Sequence, residues 1–285
     1  MRDKILNIII WTFGIVILLL LSGFLYSLIR QALPSLMHFG FFDFYTTSTW
    51  DSQEGKENYG ALSFITGSTL TAVLSLIIAL PFSLSLLIFS SFYLRKQKTA
   101  HVINSLIDFA TTVPSIIWGI WGFCTIRPIL DALQIGYQGY GIICTAIVLA
   151  IMIIPFAASY SSVYIRNVPL QLKENAYALG ATGKEVIWKI NLPHAKKGIF
   201  SAHLLALGKA LGETMIVTIL IGNTNRLPTS IFDTSNTMTS ILINQAGSSS
   251  DLKLSAIFAI ALFLFIFTAC INYLAIYLIP KRQWQ

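Results

Sequence analysis

Two ionisable side chains, Lys209 and Glu213, stand four residues apart inside an apolar stretch, LGKALGETMIVTILIGN at positions 207–223. In a continuous helix, positions i and i+4 share one face, so the two can pair. Charge inside a membrane span is costly and faces the bundle interior or a water-filled path. Two readings stay open: an ion pair that locks helix packing, or a pathway wall whose charge meets an ion. Gly208 and Gly212 add a small-xxx-small spacing that permits close helix approach, and Thr214 and Asn223 add polar groups. A second polar run places Asp108 ahead of Thr111, Thr112, Pro114 and Ser115, followed by Trp118, Gly119, Trp121 and Gly122. Pro114 removes a backbone hydrogen bond and kinks a helix, while the glycines let a neighbour or a substrate approach the backbone. Asp108 falls near the inner end of its segment, where a plain interfacial acid is the simpler role. Pro81 and Pro155 can bend two further segments in the same way.

The third stretch is the longest charged passage between two apolar ones, ENAYALGATGKEVIWKINLP at 174–193. Residues 172–179 read as a helix that breaks at Gly180. Thr182, with Glu185 three residues later, is a capping-box signature for a second helix, which Pro193 ends. Ala176, Leu179, Ile187 and Ile190 fall at roughly helical spacing, so this helix–turn–helix has a face to bury, against its own chain or a partner.

Other chemistries find no residues. Each Gly-Lys pair is followed by Glu or Ala, so no phosphate-cradling G-x-x-x-x-G-K-[ST] loop occurs, nor does a nucleophile elbow or an H-E-x-x-H pair. The four histidines, His38, His101, His194 and His203, are scattered over loops and helix ends, which counts against a membrane enzyme. Cys124, Cys144 and Cys270 lie in apolar runs without metal-ligand spacing and read as small buried hydrophobes. The chain's own expected cofactor and metal content is therefore none.

The elements that hold these groups follow from composition. Of 285 residues, 55% are hydrophobic and 11% charged, with a mean hydropathy of +0.72; soluble domains carry about 25% charged residues. This is an all-α polytopic membrane protein, because the apolar runs are continuous rather than alternating. Six runs reach the ~20 residues that a span requires: 8–29, 62–92, 102–126, 139–164, 198–222 and 254–279. The first is too long for a signal-peptide core and reads as a retained helix. With the N-terminus inside, thirteen of the 19 Lys and Arg fall on inner segments, five on outer ones, and Lys209 alone within a span. Both termini and the 174–193 stretch are then cytoplasmic. The net charge of +7 follows this topology and not nucleic acid. The outer loop at 30–60 is acidic (Asp43, Asp51, Glu54, Glu57) and aromatic (Phe41, Phe42, Phe44, Tyr45, Trp50); it reads as solvated, with an interfacial hairpin or a partner surface as alternatives. The outer loop at 223–253, rich in Ser, Thr and Asn, reads as mobile, with a short interfacial helix at 237–246. The layout is a first helix and acidic loop (1–60), a transmembrane core (61–280) with its inner loop at 166–197, and a tail (281–285).

The 174–193 stretch also resembles the cytoplasmic EAA loop of bacterial ABC importer permeases, E-A-A, three residues, G, nine residues, I-x-L-P. Glu174, Ala176, Gly180, Ile190, Leu192 and Pro193 all fall in register, and Asn175 departs. The resemblance implies a type I importer fold and a loop that docks into a groove on an ATPase subunit, with Gly180 at the turn. VPSIIWGIWGF at 113–123 and LGKALGETMIVTILIGN at 207–223 further resemble permease subunits of the phosphate-specific (Pst) importer, PstC type; the PstA type has Pro or Ala where this chain has Met215. That implies phosphate import across a bacterial inner membrane, with Lys209, Glu213, Thr214, Asp108, Pro114 and Ser115 on the pathway. It also implies a PstA-type permease, a PstB-type ATPase dimer binding ATP and Mg, and an outer PstS-type phosphate-binding protein. One departure bears on the substrate. The family has Arg where this chain has Lys209, so positive charge is kept but a bidentate fork is lost; sulfate, molybdate and phosphonate stay open.

Overall fold

In a computed structural model the described residues are 2–52, 57–93, 98–248 and 251–279. The expected tail at 281–285 and four residues of the charge pattern, Glu54, Lys56, Arg95 and Lys96, lie outside them. The described chain runs α1 (Arg2–Phe39), α2 (Phe41–Thr46), a hairpin of β1 (Trp50–Asp51) and β2 (Asn58–Tyr59), and α3 (Leu62–Ile88). After these come α4 (Lys98–Thr112), α5 (Ser115–Cys124), α6 (Ile126–Ala132), α7 (Ile142–Arg166), α8 (Leu170–Ala178) and α9 (Gly183–Glu185). The last four are α10 (Leu192–Leu211), α11 (Met215–Leu220), α12 (Met238–Gln245) and α13 (Asp251–Tyr277).

Four helical stretches are long and apolar enough to cross a membrane: Ile9–Phe39, Leu62–Phe92, Ile142–Arg166 and Asp251–Tyr277. A fifth is reached if Ser105–Thr112 and Ser115–Ala132, bent by 89°, form one span. The bend falls at Pro114, which caps α5 in an extended conformation; a proline lacks the N–H that would continue the helix. The fifth expected span, 198–222, is likewise not one helix. It divides at Gly212 into α10 and α11, and Lys196, Lys197 and Lys209 all fall within α10.

Small side chains build the centre. On α3, Ser68, Ala72, Ser75, Ala79 and Ser83 recur every three or four residues and are buried, as are Ala146, Ala150, Ile153, Ala157 and Ser161 of α7. α3 packs on α7, and α10 on both. Small residues let two backbones approach where lipid gives no hydrophobic drive to associate. Thr71 and Ser75 bond carbonyls of their own helix, whereas the buried Ser161 Oγ finds no hydrogen-bond partner among the described residues. α1 is longer than its apolar run suggests, at 38 residues or about 57 Å. Beside Pro34, the Ser35 amide donates to Ser255 Oγ of α13 at 2.9 Å.

The outer loops are tied down, contrary to the solvated and mobile readings. Phe44 and Tyr59 are buried on α3, α12 and α13, and the Trp50 indole donates to Gln245; Phe41 and Phe42 stay exposed. Aromatic area is gained against the bundle while the described carboxylates, Asp43, Asp51 and Glu57, keep solvent access. The 223–237 segment supplies what α7 lacks, since the Ile142 and Ile143 amides donate to the carbonyls of Asp233 and Ile231. A helix start must satisfy its free N–H groups somewhere. Asp233 holds that segment in shape, accepting from both Thr229 groups and the Ser230 amide. The amide donated by Thr229 is the main reason its carboxyl titrates below the usual range. The expected short helix is present as α12, capped by Thr237.

Candidate functional site

The 174–193 loop is a turn closed by local hydrogen bonds. α8 ends in a Schellman motif: the Ala181 amide donates to Ala176 O and the Gly180 amide to Tyr177 O. That closure needs a left-handed residue, and Gly180 has φ +82°. Two residues on, Thr182 and Glu185 form the expected capping box: Glu185 N–H reaches Thr182 Oγ1, and the Thr182 N–H reaches the Glu185 carboxylate at 3.0 Å. Lys189 Nζ lies 2.9 Å from the other carboxylate oxygen. The Thr182 amide first, then Lys189, bring the Glu185 carboxyl down to about 2.

Pro193 does not end the second helix. Residues Val186–Asn191 open to π spacing and continue into α10, with Pro193 in its first turn. A proline ring crowds the carbonyl four residues before it and has no N–H to give; a wider turn accommodates both. The loop covers its own Val186 and Ile187, and Ala176 and Ile190 are half-buried. Leu179 is the exception to the expected buried face. It is 90% exposed, because it is the capping residue just before the left-handed turn and is thrown outward. Tyr177 and Trp188 are also exposed, as are Glu174 and Pro193, while Leu192 is half-buried. Among the described residues, nothing beyond the adjoining residues lies within 4 Å of the position that a Gly180 Cβ would take. An apolar, outward surface of this kind is one that a partner protein or a membrane surface can cover.

The membrane residues gather around two broken helices. α5 packs on α11, and glycines set the distance: a Cβ on Gly119 would sit 2.8 Å from Ile219 Cδ1, and one on Gly122 2.6 Å from Val148 Cγ2. The expected Lys209–Glu213 pair is not formed. α10 ends at Leu211, with Gly212 as its cap, so the i,i+4 relation is lost. Lys209 Nζ instead lies over the Phe156 ring of α7, 4.6 Å from its centroid, within cation–π range. Glu213 turns to the next helix, accepting from the Met215 amide at 3.1 Å, and its carbonyl accepts from Thr239. Thr214 bonds only locally, to Gly212 O. Asp108 accepts from Ser159 Oγ of α7 at 3.3 Å, one turn from Phe156, and Ser115 opens α5 after Pro114. Among the described residues Lys209 thus carries a positive charge with an aromatic face and no carboxylate beside it, an arrangement that can meet a small anion.

Sequence reasoning missed Phe156 and Ser159, which carry no local signal: each matters only through a partner about fifty residues away. It also put His203 among loops and helix ends. His203 is buried within α10, its Nδ1 2.8 Å from Ile199 O and its Nε2 2.8 Å from Ser83 Oγ. Since the carbonyl can only accept, Nδ1 carries the proton, and the single Ser83 hydroxyl proton is shared between Nε2 and Leu80 O.

The same bundle, with its broken helices, is found in solved ABC transporters. The inward-facing MetNI methionine ABC transporter superposes with a TM-score of 0.55 at 18% identity, over 74% of this chain and 91% of that one. An amino acid ABC transporter gives 0.55 at 18%, over 76% and 91%. The chain belongs to the binding-protein-dependent transport system inner membrane component family, whose model matches residues 83–284. It is a multi-pass membrane protein, and the family works with separate ATPase and substrate-binding subunits. Among curated relatives, the phosphate transport system permease protein PstC of Pasteurella multocida is 36% identical over 95% of this chain and 90% of its own. Its Haemophilus influenzae counterpart is 34% identical over 95% and 91%. A probable PstC of Methanocaldococcus jannaschii is 31% identical over 95% and 90%.

Proposed function

We propose that this chain is one permease half of an ATP-driven importer that carries inorganic phosphate inward across a bacterial cytoplasmic membrane, with both termini inside. The observation that carries the substrate is the near full-length similarity to relatives named as phosphate permeases. Its partners are a PstA-type permease, a PstB-type ATPase dimer that binds ATP and Mg, and an outer PstS-type phosphate-binding protein. This chain hydrolyses no ATP itself and carries no cofactor. Residues 61–280 form the permease core around the 166–197 loop.

In this mechanism the exposed Leu179 and Tyr177 and the open space at Gly180 receive the ATPase, with Glu174, Ala176, Ile190, Leu192 and Pro193 shaping the loop. The π-helical stretch joins that loop to α10 without a flexible link. α10 is 20 residues long, about 30 Å, so motion at the loop is delivered as a rigid displacement to Lys209 and the break at Gly212. There Lys209 offers its charge to phosphate, and Asp108, Pro114, Ser115, Glu213 and Thr214 line the path. The test is labelled phosphate uptake by phosphate-starved cells with and without the gene, with unlabelled sulfate, molybdate and phosphonate as competitors. Gene-dependent uptake that resists the competitors is expected; uptake displaced by one of them would reassign the substrate to that oxyanion.

A further inference from the structure

A long apolar slot lies between α3 and α10, about 370 Å³ in volume. On α3 it is lined by one stripe, Leu76, Leu80, Leu84 and Ile88, and on α10 it runs from Leu192 to Leu204. Each side covers twelve residue steps, about 18 Å of helix, close to half of a ~30 Å hydrocarbon core. The slot is therefore one leaflet deep. Its polar features lie at the loop end, where Trp188 and Lys196 close it, while the His203 imidazole at the far end is bonded to Ser83 and Ile199. Beside it a second hollow of about 340 Å³ shares Lys196 and Phe200 and adds Lys197 and Leu278. Phe200 stands between the two as an exposed ridge. Lys196 and Lys197 are exposed and form no ion pair among the described residues.

We propose that this face is a binding site for one anionic phospholipid, whose acyl chains lie on either side of Phe200 and whose phosphate is held by Lys196 and Lys197. Dimensions and charge select this occupant: a one-leaflet apolar slot fits a chain lying along the span, and two unpaired cations at its mouth complement an anionic headgroup. Tryptophan at the same level matches the headgroup boundary. The site has a consequence for the loop. Trp188 belongs to the π-helical stretch and α10 follows it directly, so a lipid seated between α3 and α10 braces the element that joins the docking turn to Lys209. The proposal takes from the functional reading only that the loop side is the inner side.

The test uses the assembled importer in nanodiscs, with photoactivatable phosphatidylglycerol or phosphatidylcholine carrying a diazirine on one acyl chain. Crosslinked peptides covering residues 76–88 and 196–204 are expected, with phosphatidylglycerol labelling at least fivefold over phosphatidylcholine. Lys196→Ser with Lys197→Ser should abolish that preference while the complex stays assembled. Leu80→Trp, which fills the slot, should remove labelling from it with either lipid. Equal labelling by the two lipids in the unaltered protein would overturn the anionic site. So would a photoactivatable side chain at position 80 that crosslinks to the second permease instead of lipid. Labelling is read without transport, so it stands or falls apart from the substrate assignment.

Discussion

Placing a side chain at Gly180 separates the loop's fold from its docking. Any non-glycine residue at φ +82° takes on left-handed strain of about 1–2 kcal/mol. That is small beside the ~5–15 kcal/mol that holds a typical fold, so Gly180→Ala and Gly180→Trp should both insert and assemble their helices. The two share the same backbone strain. Among the described residues, nothing beyond the adjoining residues lies within 4 Å of the new Cβ, so the methyl meets open space and the indole adds bulk on the outward side. Gly180→Asn, which tolerates the left-handed region, serves as the strain control. Uptake should stay near normal for Asn, fall several-fold for Ala, and be lost for Trp, whose ring would occupy the partner's groove. ATPase stimulation by the loaded binding protein should follow the same order. Membrane content measured by immunoblot is expected to be equal for all three. Uptake by Gly180→Trp equal to that of Gly180→Ala would refute the docking role, because the outward face would then touch nothing that matters.

Further outcomes follow from the same geometry. Lys209→Met should lower uptake at least tenfold with the complex intact, and Lys209→Arg should retain it; normal uptake by the Met variant would leave Lys209 a packing residue. Phe156→Leu removes the aromatic face under that ammonium, worth about 0.5–2 kcal/mol, and should weaken transport without changing assembly, whereas Glu213→Gln should not destabilise the protein as breaking a buried ion pair would; thermal unfolding compares the two. Thr182→Ala removes a cap worth about 1 kcal/mol, so amide exchange at 183–186 should rise roughly fivefold while α3 and α7 are unchanged. The Glu185 carboxyl is depressed to about 2, so its contribution to the loop is complete above the ordinary carboxylate range and lost as pH falls towards 2; exchange that slows on acidification, after correction for intrinsic rates, would contradict the capping box. Gly122→Ala drives a methyl to within 2.6 Å of Val148 and 3.0 Å of Leu220 and should cost about 1–3 kcal/mol, read as a lower melting temperature.

What could be read from sequence alone was what depends on neighbours in the chain. Pro114 announced a break because its missing N–H acts within one turn, and Thr182 with Glu185 announced a cap because both bonds close over three residues. Gly180 marked a turn that only glycine makes easily. The failures share a different cause. The Lys209–Glu213 pair assumed that the helix runs through Gly212, and the i,i+4 rule has no force once it does not. Gly208 and Gly212 around Lys209, followed by Glu and Thr, were the available sign that α10 stops there. Leu179 was counted with the buried face from spacing alone, yet its place one residue before a left-handed turn decides where it points. The outer loops were read as free because polar residues dominate them, whereas their backbone carbonyls cap α7 and their aromatics cover α3. Phe156 and Ser159 acquire meaning only when the bundle brings α7 against α10 and α4.

The central claim is tested most directly in proteoliposomes containing this chain with its permease partner and ATPases, with the loaded phosphate-binding protein on the opposite face from the loop. Labelled phosphate should accumulate only when ATP is supplied on the side that the 174–193 loop faces, and omitting this chain should abolish it. Accumulation without ATP, or undiminished accumulation without this chain, would contradict the account.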